Sequence, residues 1–193
     1  LVMALFPLGI LSAAGAGGAA FSSDYELIET AIVSGSSTNT VTFSGLGSYS
    51  STYKHLQIRF AARSLIGSTE DPLFLRFNAD STNTYAIHIL EGRGSSVGSF
   101  AGVPRTGVFL GAIAGGSITA NSFSAGVVDI LDVYGSKNKT VRTLLGSTGG
   151  NYVALNSSLW PQTTSPTSIS VIGSTANLAA GSRFSLYLSL IHI

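Results

Sequence analysis

Residues 53–64 read YKHLQIRFAARS, and two interpretations compete for them. His55, Arg59 and Arg63 stand close enough in sequence to suggest a catalytic or anion-binding cluster. The spacing argues otherwise: Leu56, Ile58, Phe60 and Ala62 alternate with His55, Gln57, Arg59, Ala61 and Arg63, the period of an extended chain whose successive side chains point to opposite faces. Burying Leu56, Ile58 and Phe60 contributes about 1.5–3 kcal/mol each, so packing alone accounts for the pattern. The polar set then lies on the solvent side, where neighbouring strands are expected to bring Arg76 and His88 near Arg59 across one sheet face.

Working outward, the same alternation recurs over 25–33, 40–43, 73–78, 85–91, 107–113, 123–134, 140–146, 152–155, 168–172 and 183–187, and no segment sustains a helical period. Between these runs lie GLGSYSS, STEDP, NADSTN, EGRGSSVGS, YGSKNK and GSTGGN, rich in residues that supply positive φ or local side-chain turns. Residues 78–83 and 135–139 are expected to join neighbouring strands as hairpins. The pattern predicts an all-β fold, a single antiparallel β-sandwich of jelly-roll type with about ten or eleven short strands. No fixed-period repeat points to a propeller or solenoid. The expected partition is an arm over 1–23, a sandwich over 24–187 and a tail over 188–193.

Hydrophobic residues make up 45% of the 193-residue chain and charged residues only 10%, against about 25% charged in ordinary globular proteins. Ser, Thr, Asn and Gly must therefore cover the surface. A net charge of +1 offers no field for neutralising phosphates, so nucleic acid is not an expected partner. The absence of cysteine excludes disulfides, thiolate metal sites and cysteine nucleophiles.

The opening LVMALFPLGILSAAGAGGAAF, with Met3 read as the start, holds a short apolar run broken by Pro7 and Gly9. It is too short for a bilayer span, which takes about 20 apolar residues. A secretory signal would put a basic stretch before the apolar run, whereas the first basic residue is Lys54. The preferred reading is a Gly-rich arm tethering an apolar plug, Leu5, Phe6, Leu8, Ile10 and Leu11, to another protein. At the other end, LSLIHI (188–193) resembles the translated end of a sequencing adapter and is read as not native.

Chemical constellations are sparse. A hydrolase triad needs a placed Ser with a His and an orienting Asp, and a strained strand-to-helix elbow is not expected where no helical period exists. Asn78, Asp80 and Asn83 offer oxygens but lack the acidic density of a calcium loop. Three separated histidines match no transition-metal spacing. Asp129 and Asp132, three apart, face opposite sides of a regular strand, and Asp132 is expected to meet Arg142 or Lys139 across the next hairpin. Gly-rich FLGAIAGG lacks the Lys-Ser/Thr of a phosphate loop and reads as a surface loop. Glu70, Asp71 and Glu91 are the acids that loops would have to bring together for glycoside hydrolysis. Tyr152 and Trp160 are the candidate platform for stacking on a sugar ring, against the alternative that the single Trp closes the core with its N–H bonded. No cofactor is expected.

MALFPLGILSAAG (3–15), YELIET (25–30), VTFSGL (41–46) followed by YKHLQIRFAAR (53–63), LFLRFNADSTNTYAIHILEG (73–92) and NLAAGSRFSLY (177–187) together resemble a group of virion-associated structural proteins of tailed phages, many marine or metagenomic, often called tail-fibre proteins. The likeness runs along nearly the whole chain and ends at Leu188, where members commonly continue with Gly-Ile. It implies a non-enzymatic component of a phage particle, a tail fibre or capsid decoration located in the virion. The expected partners are other virion proteins and further copies of the chain, as a homo-oligomer such as a trimer. A glycan-binding module of a phage adhesin is the alternative.

Overall fold

A computed structural model describes residues 25–35 and 38–189. Within them the chain forms β1 (Glu26–Ile32), β2 (Thr40–Ser44), β3 (His55–Ala62), β4 (Glu70–Phe77), β5 (Tyr85–Arg93), β6 (Ser96–Arg105), β7 (Val108–Ala114), β8 (Ser124–Ile130), β9 (Lys139–Ser147), β10 (Tyr152–Trp160), β11 (Ser168–Gly173) and β12 (Arg183–Ser189), with one 3-10 turn at Leu46–Tyr49. Strict alternation in β9 and β10, buried side chain after exposed side chain, shows the cause: each turns a period-two apolar set toward one interior.

Two antiparallel sheets result. Eight strands follow the order β1-β12-β3-β8-β9-β10-β5-β6 and four the order β2-β11-β4-β7. Their inner faces enclose one core that includes Phe43, Phe77, Leu56, Ile58, Leu110 and Phe184. The pairing is nested: β5 with β6, β4 with β7, β3 with β8, β2 with β11 and β1 with β12. The β9–β10 hairpin is inserted between β8 and β5.

The expectation of two antiparallel sheets holds, with corrections in detail. The twelfth strand, β6, arises from SVGSFAGVPR, which lacks alternation and is exposed along almost its whole length. It forms because β5 offers a full backbone ladder, and backbone pairing at a sheet edge needs no buried side chain. The strand expected over 107–113 forms as β7, nearly all buried, so FLGAIA belongs to it and the reading of that stretch as a surface loop fails. Residues 78–83 join β4 to β5 across the two sheets instead of closing a hairpin, whereas 135–139 does join paired strands, β8 and β9. β8 stops at Ile130, short of the expected 134, and Asp132 adopts a left-handed φ of 49° just beyond. β12 continues through Leu188 and Ser189, which pair with Leu56 and His55, and Leu188 is fully buried. The proposed plug, Leu5 to Leu11, lies outside the described residues, as do 190–193.

Candidate interaction surface

The three polar residues of the opening stretch go to three different places. His55 Nδ1 accepts the Asp132 N–H at 2.9 Å, securing the turn after β8. Arg59 stands on the outer face with its guanidinium over the rings of Tyr187 and Tyr25, at 4.6 and 5.5 Å. Arg63, beyond the end of β3, is buried and donates to the carbonyls of Thr119, Ser122, Gly116 and Ile118 at 2.7–3.2 Å. The expected solvent-facing cluster therefore does not form. Arg76 belongs to the other sheet, and His88 is four strands from Arg59 in the ladder order.

The acids are occupied singly. Glu70 and Glu91 do converge, but on the Arg93 guanidinium, at 2.5 and 3.1 Å. Burial opposes the Arg93 charge, yet hydrogen bonds and charge from these two carboxylates leave its pKa raised. Asp71 is fully buried and accepts the Ser64 hydroxyl at 2.6 Å and the N–H groups of Thr175 and Ala176 at 3.2 Å each. Asp132 pairs with Lys137 within its own turn and Arg142 with Asp129, its cross-strand partner, so the expected Asp132 pairing with Arg142 or Lys139 does not form. Lys139 instead lies buried, donating to the carbonyls of Gly135, Lys137 and Thr163. Burial lowers its ammonium pKa against the opposing charge of Asp132.

Two of the side chains suggested for calcium tie the turn after β4 to neighbouring segments. Asn78 Oδ1 takes the Thr167 N–H at 2.7 Å and the Ser168 N–H at 3.2 Å, while Asp80 takes Thr82 on one oxygen and the Trp160 indole N–H on the other, at 2.7 Å. Among the described residues no group of three His, Asp or Glu is arranged to hold a metal ion. A literal Gly-x-Ser-x-Gly run, Gly94 to Gly98, sits on the β5–β6 hairpin, without the strand-to-helix geometry that exposes a nucleophile.

Tyr152 and Trp160 are both 2% exposed, so neither ring offers a face to a sugar. Trp160 stacks on Phe77 with centroids 4.7 Å apart. Tyr152 lies under Arg93, 4.3 Å from guanidinium carbon to ring centre. Burial pushes the Tyr152 hydroxyl up to about 12. Both occur at alternate, inward positions of β10, which is why burial wins over display.

What remains open is the outer face of the eight-stranded sheet. Its ladder aligns Arg59, Val127, Leu144, Leu155, Leu90 and Ser99 in one transverse row. The row on one side holds Ala61, Ala125, Gly146, Val153, Gly92 and Val97, and that on the other holds Gln57, Asp129, Arg142, Ser157, His88 and Ala101. Leu144 is 58%, Leu90 54% and Leu155 49% exposed, and Val153 and Val97 are exposed beside them. Shallow grooves run between these side chains over Gly92 and Gly146. This contiguous apolar patch, rimmed by Asp129, Arg142 and Arg59, is the candidate interaction surface. Sequence reasoning passed over it. The signal was present in YVAL and TLLG, where apolar residues occupy both faces of one strand, as in strands covered on both sides.

No helix among the described residues is long and apolar enough to cross a membrane. No protein-family model, curated protein or solved structure matches the chain.

Proposed function

We propose that the protein is a non-enzymatic structural component of a phage particle, a tail fibre or capsid decoration. The arm carrying Leu5, Phe6, Leu8, Ile10 and Leu11 attaches it to the virion, and the sandwich is the body that packs against its neighbours. The observation that carries this reading is the apolar outer face of the eight-stranded sheet, with Leu90, Leu144 and Leu155 about half exposed in one row. Such a face is built for contact with another protein surface. Most of the described acids and the buried cations Arg63 and Lys139 lend support, since they are engaged in holding loops and strand ends.

The nested strand pairing supports a jelly-roll reading of the sandwich. An antiparallel ribbon, β2 with β11, β3 with β8, β4 with β7 and β5 with β6, rolled so that successive pairs alternate between sheets, is the plan of that architecture. The β9–β10 hairpin widens the larger sheet, and β1 with β12 extends it. Capsid proteins use this architecture, and so do lectins; the parallel is one of fold and carries no function by itself. The lectin alternative loses its aromatic platform with Tyr152 and Trp160 buried.

The test is incorporation. A chain lacking residues 3–18 is expected to keep the far-ultraviolet spectrum of the intact protein and to be missing from purified particles, by mass spectrometry. Incorporation at the intact level would refute the docking role of the arm, and absence of the intact protein from particles would refute the virion role itself.

A further inference from the structure

We infer that the outer face of the eight-stranded sheet is a two-fold interface with a second copy of this chain, its axis parallel to the strands and passing between β9 and β10. The inference rests on the structural-component reading and names the partner. Rotation about such an axis keeps each transverse row at its own level and exchanges β9 with β10, β8 with β5 and β3 with β6. In the central row Leu144 then meets Leu155 of the second copy, and Val127 meets Leu90. In the next row Val153 enters the space over Gly146, Gly92 faces Ala125, and Val97 faces Ala61. In the third row Asp129 faces His88, and Arg142 faces Ser157.

Large side chains thus meet small ones, leucines meet leucines, and the acid meets an imidazole and not another acid. Other placements are worse. Moving the axis one strand toward β8 sets Arg59 against Leu155 of the second copy, and moving it one strand toward β5 leaves Val127 uncovered, sets Leu144 against Ser99 and reduces the overlap to four strands of each copy. With the axis between β9 and β10, six strands of each copy overlap. At about 4.8 Å between strands and about 3.4 Å per residue, six strands of about seven residues cover roughly 680 Å² per copy. The pair buries about 1,400 Å², within the range of stable, specific interfaces. The two sheets would stack about 10 Å apart, with facing strands aligned because the axis runs parallel to them.

The experiment measures mass in solution by light scattering and analytical ultracentrifugation, with circular dichroism as the folding control. The intact protein should have the mass of two chains. Leu144→Asp should be a folded monomer, its dissociation constant raised about a thousandfold, because a two-fold interface meets each change twice. Leu155→Lys, on the neighbouring strand, should do the same and serves if Leu144→Asp fails to fold. The cysteine-free background permits a stricter check. Val127→Cys and Leu90→Cys, mixed as single variants and treated with a short bismaleimide, should cross-link to each other, whereas each variant alone should not, since like positions lie three strands apart.

A monomeric intact protein at its highest soluble concentration overturns the inference. So does a dimer that both substitutions leave intact, or one in which each cysteine cross-links to itself. A monomer that binds a hydrophobic dye until Leu144→Asp abolishes the signal gives the face to a different partner, which also overturns it. If the monomeric protein is nevertheless present in particles, only the dimer fails; if a dimer forms but never enters particles, the virion reading fails and the dimer stands.

Discussion

Arg63→Met separates a structural arginine from a functional one. The methionine keeps much of the buried stem and removes the guanidinium from four carbonyls at 2.7, 3.0, 3.2 and 3.0 Å, those of Thr119, Ser122, Gly116 and Ile118. A hydrogen bond to a charged group contributes about 1.5–3 kcal/mol net. Water can replace the partner at carbonyls that swing outward with the loop, so roughly half of the four bonds are lost without compensation, a destabilisation of about 3–5 kcal/mol. That is a large share of a total stability of about 5–15 kcal/mol and lowers Tm by about 10 °C in a chain of this size. Urea unfolding followed by circular dichroism measures it, with an unchanged m value showing that the unfolded state is not altered. Amide exchange should accelerate over 116–122 before the core strands respond. Arg59→Met, which gives up its exposed stacking on Tyr187 and Tyr25 and one hydrogen bond to Gln57 Oε1 at 2.7 Å, should cost about 1–2 kcal/mol, well below Arg63→Met. A loss under about 1 kcal/mol for Arg63→Met, with unchanged exchange over 116–122, would refute the reasoning and return Arg63 to the list of residues awaiting a function.

Four further outcomes are expected. Trp160→Phe, which forfeits the indole N–H bond to Asp80, should destabilise by about 1–3 kcal/mol, and the intact protein should emit at the short wavelengths of a buried indole; emission typical of exposed tryptophan would contradict the stacking on Phe77. Burial alone would raise the Asp80 carboxyl, but bonds from Thr82 and Trp160 together with the Arg76 charge outweigh it and hold its pKa below 3.8. Its contribution to stability is therefore present above 3.8 and lost as pH falls through the folded value, and Asp80→Asn should flatten that acid limb of the unfolding profile. Burial raises Tyr85, Tyr134 and Tyr152 to about 12, so absorbance titration should show these three ionising near 12 while their contribution to stability disappears between about 10 and 12; three normal titrations would overturn their burial. A Cβ at Gly115 would overlap the Ser68 carbonyl oxygen, so Gly115→Ala should destabilise by at least about 2 kcal/mol in urea, and a neutral change would show that the loop after β7 yields easily.

The strand from His55 to Ala62 was legible residue by residue, because alternation is a property of neighbours two apart and is written in the chain directly. The same holds for β9, β12 and the start of β10, which reads as a strand only over 152–155 but runs on to Trp160, and for the loops rich in Gly, Asn and Ser. β6 was not legible: its strand character comes from the backbone of β5, and nothing in SVGSFAGVPR announces a partner. FLGAIA reads both as part of a strand over 107–113 and, with the glycines that follow, as a surface loop; the strand is what forms, and its Gly, at φ 129°, lies where β7 packs closely against Leu145.

Which side of a strand faces solvent is likewise only half local. The apolar residues on the unburied side of β9 and β10 were plain in the sequence, but their union with Leu90, Val97 and Val127 into one patch depends on registers between strands far apart along the chain. Trp160 is similar, since its inward position follows from β10 but its bond to Asp80 needs a turn between strands of different sheets. Local composition and period thus determined an all-β chain with a poorly charged surface, through the geometry of adjacent residues. The tertiary structure alone decided which charges meet, which rings are buried and which face is left uncovered, because each of these depends on contacts between segments that the covalent chain does not bring together.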